Sequence, residues 1–508
     1  MTNQNLYLRF AQNNFAQAAD RDFLITPGRN PVGYASLAGL TGQMQSRLQA
    51  LGVKPGDRVM VQVEKSAEAI ILYLACLRAG AIYIPLNTAY TKDELAYFIG
   101  DAEPQLFVCP PDAAPALQAL AKNLAVPQLK TLGTQGDGDL LEGLDTLDSE
   151  PKIIHRDGSD LAAILYTSGT TGRSKGAMLT HANLQSNAEA LHQYWQWDDT
   201  NDVLLHALPI FHVHGLFVAL HCALLGGSPV HFLPKFDVTQ IIEKLPTSRV
   251  MMGIPTFYTR LLSTPGFSAE ACRNMRLFTA GSAPLLAETH QAFEEHTGHR
   301  ILERYGMTET GMITSNPYHG ERKAGTVGYA LPDIQVRVAD DQGKPCPVGE
   351  TGVLEVIGPN VFSGYWRMPE KTATEFREDG WFITGDLATM DTDGRLTIVG
   401  RAKDLIISGG YNVYPKEVET VIDDMDGIKE SAVIGVPHSD FGEGVTAVVV
   451  LEDGQALHEG QIKDYLCNCL AKFKQPKKIY FVDALPRNTM GKVQKAELRK
   501  TYANTYRA

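Results

Sequence analysis

From Tyr166 to Gly176 the chain reads Tyr166-Thr167-Ser168-Gly169-Thr170-Thr171-Gly172-Arg173-Ser174-Lys175-Gly176, directly after the apolar run that starts at Leu161. Glycines let backbone N–H groups approach an anion, hydroxyls donate hydrogen bonds to it, and a lysine adds charge. The chemistry this stretch suits is the cradling of a polyphosphate, with a flexible surface turn as the alternative. It is not a Walker A loop, because Gly-Lys-Ser/Thr is absent at the required spacing. A second charged stretch, Lys472-Phe473-Lys474-Gln475-Pro476-Lys477-Lys478, reads as a solvated face or as a place for further phosphates. The 7 cysteines are odd in number and scattered. Cys467 and Cys469 form the closest pair, and Cys-x-Cys alone is a weak metal signal, so reduced thiols are expected.

These residues need a scaffold, and the spacing of apolar residues predicts one. Ser66 suits the cap of a helix through Ala79 with Ala67, Ile70, Ile71, Leu74 and Leu77 on an apolar face. Thr91 and Glu94 read as a capping box ahead of Leu95, Phe98 and Ile99. Leu161 to Tyr166 reads as a buried strand, and Pro284 suits the first position of a helix begun by Ser282. This alternation predicts layered α/β subdomains with largely parallel sheets. From about Ile334 the texture changes to short alternating strands, Val353 to Ile357 and Leu396 to Val399 among them, as in a small antiparallel or barrel-like β unit. Beyond Gly400, a compact α+β unit has strands at Ala432 to Val436 and Val445 to Leu451, and a helix from Pro415 that buries Val418 and Ile422. The expected division is an N-terminal domain over 1–400 with its β unit at about 320–400, a hinge at 401–404, and a mobile C-terminal α+β domain over 405–508.

A chain of 508 residues exceeds one ordinary core. Its 44% apolar and 20% charged residues are ordinary for a soluble globular protein. The net charge of −12 repels polyanions, which argues against nucleic acid as a partner. The start, Met1-Thr2-Asn3-Gln4-Asn5, has no signal-peptide pattern. The longest apolar tract, Val203 to Leu233, is interrupted by five histidines, so no span of the roughly 20 residues a bilayer needs is expected. The last residues, Thr505-Tyr506-Arg507-Ala508, are not a peroxisomal address. A cytoplasmic location is expected.

The glycine-rich stretch resembles the phosphate loop of the adenylate-forming superfamily of acyl-CoA synthetases, luciferases and adenylation domains. Four more motifs stand in that superfamily's order: Tyr305-Gly306-Met307-Thr308-Glu309, Thr384-Gly385-Asp386, Gly400-Arg401-Ala402-Lys403-Asp404, and Pro486-Arg487-Asn488-Thr489-Met490-Gly491-Lys492. The resemblance implies an ATP-binding, AMP-forming ligase of fatty-acid-type metabolism that takes CoA as cosubstrate. Lys175 and the loop residues Thr167, Ser168, Gly169, Thr170, Thr171 and Gly172 would hold the outer phosphates. Tyr305 would stack on adenine, Thr308 would contact the α-phosphate, and Glu309 would bind Mg2+. An acid near a helix start is otherwise a dipole partner. Asp386 would take the ribose hydroxyls with help from Arg401. Lys492 would reach the carboxylate and α-phosphate, where charge builds. The C-terminal domain would swing about Asp404 and bring Gly409 and Gly410 toward the CoA pantetheine. Acetylation by a lysine acetyltransferase, reversed by a deacetylase, would remove the charge of Lys492 and inactivate.

Arg304 narrows the acid. Many superfamily members with apolar substrates have a small residue there, and an unpaired buried guanidinium costs several kcal/mol. A second carboxylate on the substrate would pair with it bidentately, with hydrogen bonds from His212 and Ser282 and with Arg260 as a weaker basic candidate. An internal ion pair with Glu303 is the bland alternative for Arg304. Ala89-Tyr90-Thr91, Phe211-His212-Val213-His214 and Glu303-Arg304-Tyr305 resemble malonyl-CoA synthetases, so malonate is expected first and methylmalonate second. The competing expectations are a ligase for a short-chain or aromatic monocarboxylic acid, an adenylation module that loads a carrier protein, and a non-catalytic nucleotide-binding regulator on the same fold.

Overall fold

The structure, a computed structural model, describes residues 2–11, 15–167, 174–408, 411–438, 441–489 and 491–506. Local signals set many of its elements. The Ser66 hydroxyl accepts from the Ala69 N–H and starts the helix Ala67–Ala79, which Gly80 ends at φ 67°. Thr91 and Glu94 close the capping box of Lys92–Ala102 and turn Leu95, Phe98 and Ile99 inward.

The described residues form four sheets. In the six-stranded sheet the order is Gln128–Thr131, Leu106–Cys109, Arg58–Val61, Ile82–Pro85, Leu161–Thr167 and Lys175–Thr180. All neighbours are parallel except the last pair, whose antiparallel ladder ends at Thr167 opposite Lys175. The nine-stranded sheet has a parallel centre in which Leu204–His206, Val250–Gly253, Leu277–Ala280 and Leu302–Met307 lie side by side. One buried cluster, including Ile70, Leu74, Phe217, Leu224 and Phe278, runs beneath both sheets. The third sheet is antiparallel, with Phe382–Met390 between Gly352–Ile357 and Leu396–Arg401 and with Gln335–Ala339 at one edge.

The fourth sheet uses only residues beyond 405. Its central strand Gly442–Leu451 pairs antiparallel with Ile428–His438 and parallel with Lys478–Phe481. Val418 and Ile422 from the helix Pro415–Asp423 cover one face, and Leu485 and Leu498 cover the other. Among the described residues no helix is long and apolar enough to cross a membrane. The seven cysteines are free thiols, and Cys467 and Cys469 are exposed.

One expected element starts elsewhere. No helix begins at Ser282; the helix there is Ala287–Thr297, and its N-cap Leu286 makes no side-chain cap bond. Ser282 has φ 71°, outside the conformation of an N-cap. Its hydroxyl faces His214 Nδ1 at 3.2 Å instead of a helical N–H.

Candidate active site

In open α/β sheets ligands bind beyond the carboxyl ends of the parallel strands, and the chemistry-bearing residues collect there. Gly281 and Ser282 follow Leu277–Ala280, Ile254 and Thr256 follow Val250–Gly253, and Arg304 and Tyr305 lie within Leu302–Met307. The strand Leu302–Met307 returns as Gly311–Ser315 after a tight turn. Thr308 and Glu309 therefore sit in a strand-to-strand turn, and Glu309 has no helix start beside it.

The end of the site around Asp386 and Lys175 is tied together by paired charges. Asp386 and Arg401 face each other on adjacent strands, with Arg401 Nε 2.7 Å from Asp386 Oδ1. The Tyr305 hydroxyl donates to Asp386 Oδ2 in a short bond. A carboxylate has about four lone-pair sites, so capacity remains on Asp386 for ligand hydroxyls. Thr384 donates to Leu354 O at 2.7 Å and accepts from the Asp386 N–H at 3.1 Å, which fixes this turn. Burial raises the Tyr305 phenol, and the Asp386 charge adds to that, so the hydroxyl keeps its proton.

Lys175 is buried, 4.0 Å above the Tyr365 ring and 3.5 Å from Glu375, which also pairs with Lys371 at 2.5 Å. Glu309 is buried and accepts from the Tyr365 hydroxyl at 2.9 Å. Burial raises Glu309 above the usual carboxylate value against the pull of that bond and of Lys175. Thr167 and Lys175 anchor the two ends of the glycine-rich stretch, and Tyr97 donates to Ser174 O at 2.7 Å. Ser168, Gly169, Thr170, Thr171 and Gly172 lie outside the described residues. So do Gly409 and Gly410, between the paired strands Ile406–Ser408 and Tyr411–Val413.

Lys492 comes from the other side of the cleft. Its segment meets the large sheets where Asn87 Nδ2 donates to Thr489 Oγ1 at 3.1 Å and where Gly491 packs on Ile254 and Thr256. The Lys492 side chain keeps solvent access but is ringed by protein at longer range, as a group in an open cleft is. This desolvation, with Arg401 nearby, lowers Lys492 to about 8 against the pull of Asp386. Asp404 lies in the 3-10 turn Ala402–Asp404 and pairs with Arg499.

The end around Arg304 is different. Arg304 is 4% exposed, and its Nε and Nη2 have no hydrogen-bond partner among the described residues. The expected bland alternative, an ion pair with Glu303, does not form. Alternation along the strand puts neighbours on opposite faces, and Glu303 accepts from the Gly325 N–H at 3.0 Å instead. Burial lowers Arg304 to about 9, with only Tyr258 opposing, and raises Glu303 to about 8. His212 is lowered to about 4, by burial first and then by Arg304 and Lys492. It is therefore neutral, and it accepts the His214 N–H on Nδ1 at 3.3 Å, which leaves its proton on Nε2 as a donor. Arg260 is not part of this group: it lies exposed on Pro255–Leu262, 5.9 Å above the Phe236 ring.

Several residues of the site carry no local signal. His214 is fully buried against Ser282 and opens the π-helical segment His214–Ala219, a geometry frequent at functional sites. Lys65 is buried and donates to His206 Nδ1 at 2.6 Å, while His206 Nε2 donates to Gly215 O at 2.9 Å and ties down that segment. Tyr365 and Glu375 hold Lys175 from about two hundred residues away. The histidine tract itself was visible, but which of its rings face the site depends on the π-helix.

A family model described as AMP-binding enzyme matches residues 11–366, and one described as AMP-binding enzyme C-terminal domain matches 417–492. The mitochondrial malonate–CoA ligase of Mus musculus is 36% identical over 495 residues, covering 89% of this chain and 83% of that protein. A feruloyl-CoA synthase of Amycolatopsis is 36% identical over 482 residues, covering 94% and 95%. ATP-bound MatB from Rhodopseudomonas palustris is 53% identical over the whole of both chains with a TM-score of 0.96, and its apo structure gives 0.86.

Proposed function

The chain belongs to the AMP-binding enzyme family and is an AMP-forming acyl-CoA synthetase, and we propose that it joins malonate to CoA through a malonyl-adenylate, with methylmalonate as a secondary acid. Arg304 carries the choice of acid. A buried guanidinium without a carboxylate partner leaves an electrostatic deficit that a second substrate carboxylate would fill. Neutral His212 adds a donor, and Ser282 adds a hydroxyl. The malonate–CoA ligase relative supports the same reading, and the likeness to ATP-bound MatB supports ATP as the nucleotide.

In the first half-reaction one malonate carboxylate oxygen attacks the ATP α-phosphorus and the bond to the β-phosphate oxygen breaks, releasing pyrophosphate. Lys492 stabilises the charge that builds on the α-phosphate oxygens. Lys175 takes the outer phosphates, Thr308 the α-phosphate, and Asp386 with Arg401 the ribose hydroxyls, beside the Tyr305 ring. In the second half the CoA sulfur attacks the acyl carbon, its thiol proton leaves to solvent, and AMP departs. The segment 401–404 divides the domain 1–400 from 405–508, which turns about Asp404 and removes Lys492 between the halves. Gly409 and Gly410 then line the pantetheine path.

Among the described residues no cluster of three or more metal-binding side chains occurs. The buried Glu309 carboxylate fits a hard cation, and it would supply an oxygen ligand to a bound Mg2+ ion. When bound, that ion neutralises phosphate charge.

The feruloyl-CoA synthase relative favours a second reading, a ligase for an aromatic or short monocarboxylic acid, in which Arg304 stays uncompensated. ATP–pyrophosphate exchange with malonate, methylmalonate, butyrate and ferulate separates the two. Malonate is expected to support the fastest exchange, with AMP as the nucleotide product once CoA is added. Faster exchange with butyrate or ferulate rejects the dicarboxylate, and ADP with phosphate as products rejects the adenylate.

A further inference from the structure

We propose that Gly281 is a specificity-determining residue, because the space of its missing side chain is the seat of the Arg304 guanidinium. The inference rests on the reading of Arg304 as the partner of the distal carboxylate. A β-carbon built on Gly281 lies 2.8 Å from Arg304 Nε and closer still to its Nη1 and Cζ. All three of those contacts are with the guanidinium end of one side chain. Gly281 is buried and its φ lies outside the left-handed region, so the backbone there accepts alanine without strain. The nearest conflict is with Arg304.

That conflict is decisive because little else fixes the guanidinium. Nε and Nη2 have no hydrogen-bond partner, and Arg304 has no ion pair among the described residues. Packing holds it, and packing at Gly281 is one wall. A methyl group there displaces the far end of a flexible side chain, which leaves the fold intact. The planar fork, however, loses its place, and bidentate pairing with a carboxylate depends on that place. Ser282 then follows at φ 71°, which aims its hydroxyl at His214 in the same wall. The dipeptide thus provides room for the cation with one residue and a hydroxyl with the next.

The test is a cycle of Gly281→Ala, Arg304→Met and the double variant, with kcat/KM measured for malonate and butyrate by pyrophosphate release. Gly281→Ala is expected to lower malonate by about a hundredfold or more, the scale of a lost buried charge pair, while butyrate keeps most of its rate. In the Arg304→Met background the alanine is expected to add little further loss, because there is no fork left to displace. Equal loss with both acids, no loss with malonate, or full additivity in the double variant overturns the role of Gly281. If Gly281→Ala fails to fold, a folded double variant still supports the clash with the guanidinium, and an unfolded one overturns it. The substrate reading fails separately: if Arg304→Met leaves malonate undiminished relative to butyrate, the dicarboxylate is wrong whatever Gly281 does.

Discussion

The two ends of the cleft treat charge in opposite ways. At the nucleotide end Asp386 holds Arg401 and Tyr305, Glu375 holds Lys175 and Lys371, and Glu309 is bonded to Tyr365. At the end around Arg304, that guanidinium is unpaired among the described residues and His212 is held neutral by burial and by the cations around it. A paired site is electrostatically satisfied before any ligand arrives, so its ligand binds by exchanging partners. An unpaired site is satisfied only by the ligand, and so discriminates strongly between ligands with and without the matching charge. On the proposed function, selection for the acid would be concentrated in one uncompensated group, and nucleotide binding would be spread over many small exchanges.

The sharpest way to break this contrast is Arg304→Met. Losing one member of a desolvated charge pair costs about 3–5 kcal/mol, so kcat/KM for malonate is expected to fall by about two to four decades. Butyrate should be spared or improved, and steady-state rates with the two acids check it. Stability should move the other way. Burial holds Arg304 below its ordinary value, so at neutral pH, well below either value, its charge carries its full cost to stability. Removing the charge is expected to raise stability at neutral pH by about 1 kcal/mol or more, read by thermal unfolding. Asp386→Asn, which orphans Arg401, should lower it. Shifts of the same sign would erase the difference between the ends.

The next effect in size concerns Lys492, which stands between the two ends. Lys492→Ala is expected to slow adenylate formation by about a hundredfold, while thioester formation from supplied malonyl-adenylate survives. Because Lys492 is lowered to about 8, its ammonium is present below that pH and lost above it. The first half-reaction should therefore decline as the pH rises through about 8, and the decline should be absent from Lys492→Ala. Acetylation of Lys492 should mimic the alanine. Equal loss of both half-reactions would make the lysine structural.

Legibility in the sequence follows the range of the interactions involved. Caps such as Ser66 and the Thr91–Glu94 box act within one helical turn, and they form as the residue types predict. The signal at Ser282 and Pro284 was just as local, yet the helix starts at Ala287, because a tertiary contact to His214 holds Ser282 in a left-handed conformation. Motif residues such as Tyr305, Asp386 and Arg401 could be picked out by type and order, but their mutual bonds could not. Asp386 meets Tyr305 across 81 positions. That Arg304 lacks a partner became visible only with strand alternation and burial in three dimensions. Gly281 carried no signal at all, since an empty volume has meaning only beside the group that fills it.

The smallest expected effect probes the paired end. Lys175 lies 3.5 Å from Glu375, and the two side chains retain 11% and 20% exposure. Partly screened pairs of this kind are worth about 0–1 kcal/mol. If phosphates displace Glu375 from Lys175, that carboxylate competes with ATP. Glu375→Gln should then lower KM for ATP, by at most about fivefold for 1 kcal/mol, and leave KM for malonate unchanged. Lys371 would lose its partner as well, but it is the more exposed of the two lysines and can turn to water. A rise in KM for ATP would mean that Glu375 aims Lys175 at the phosphates, so that the pairing at this end orients its cation as well as neutralising it. Initial rates over a range of ATP concentrations at saturating malonate and CoA distinguish the two, because exchange and orientation move the same constant in opposite directions.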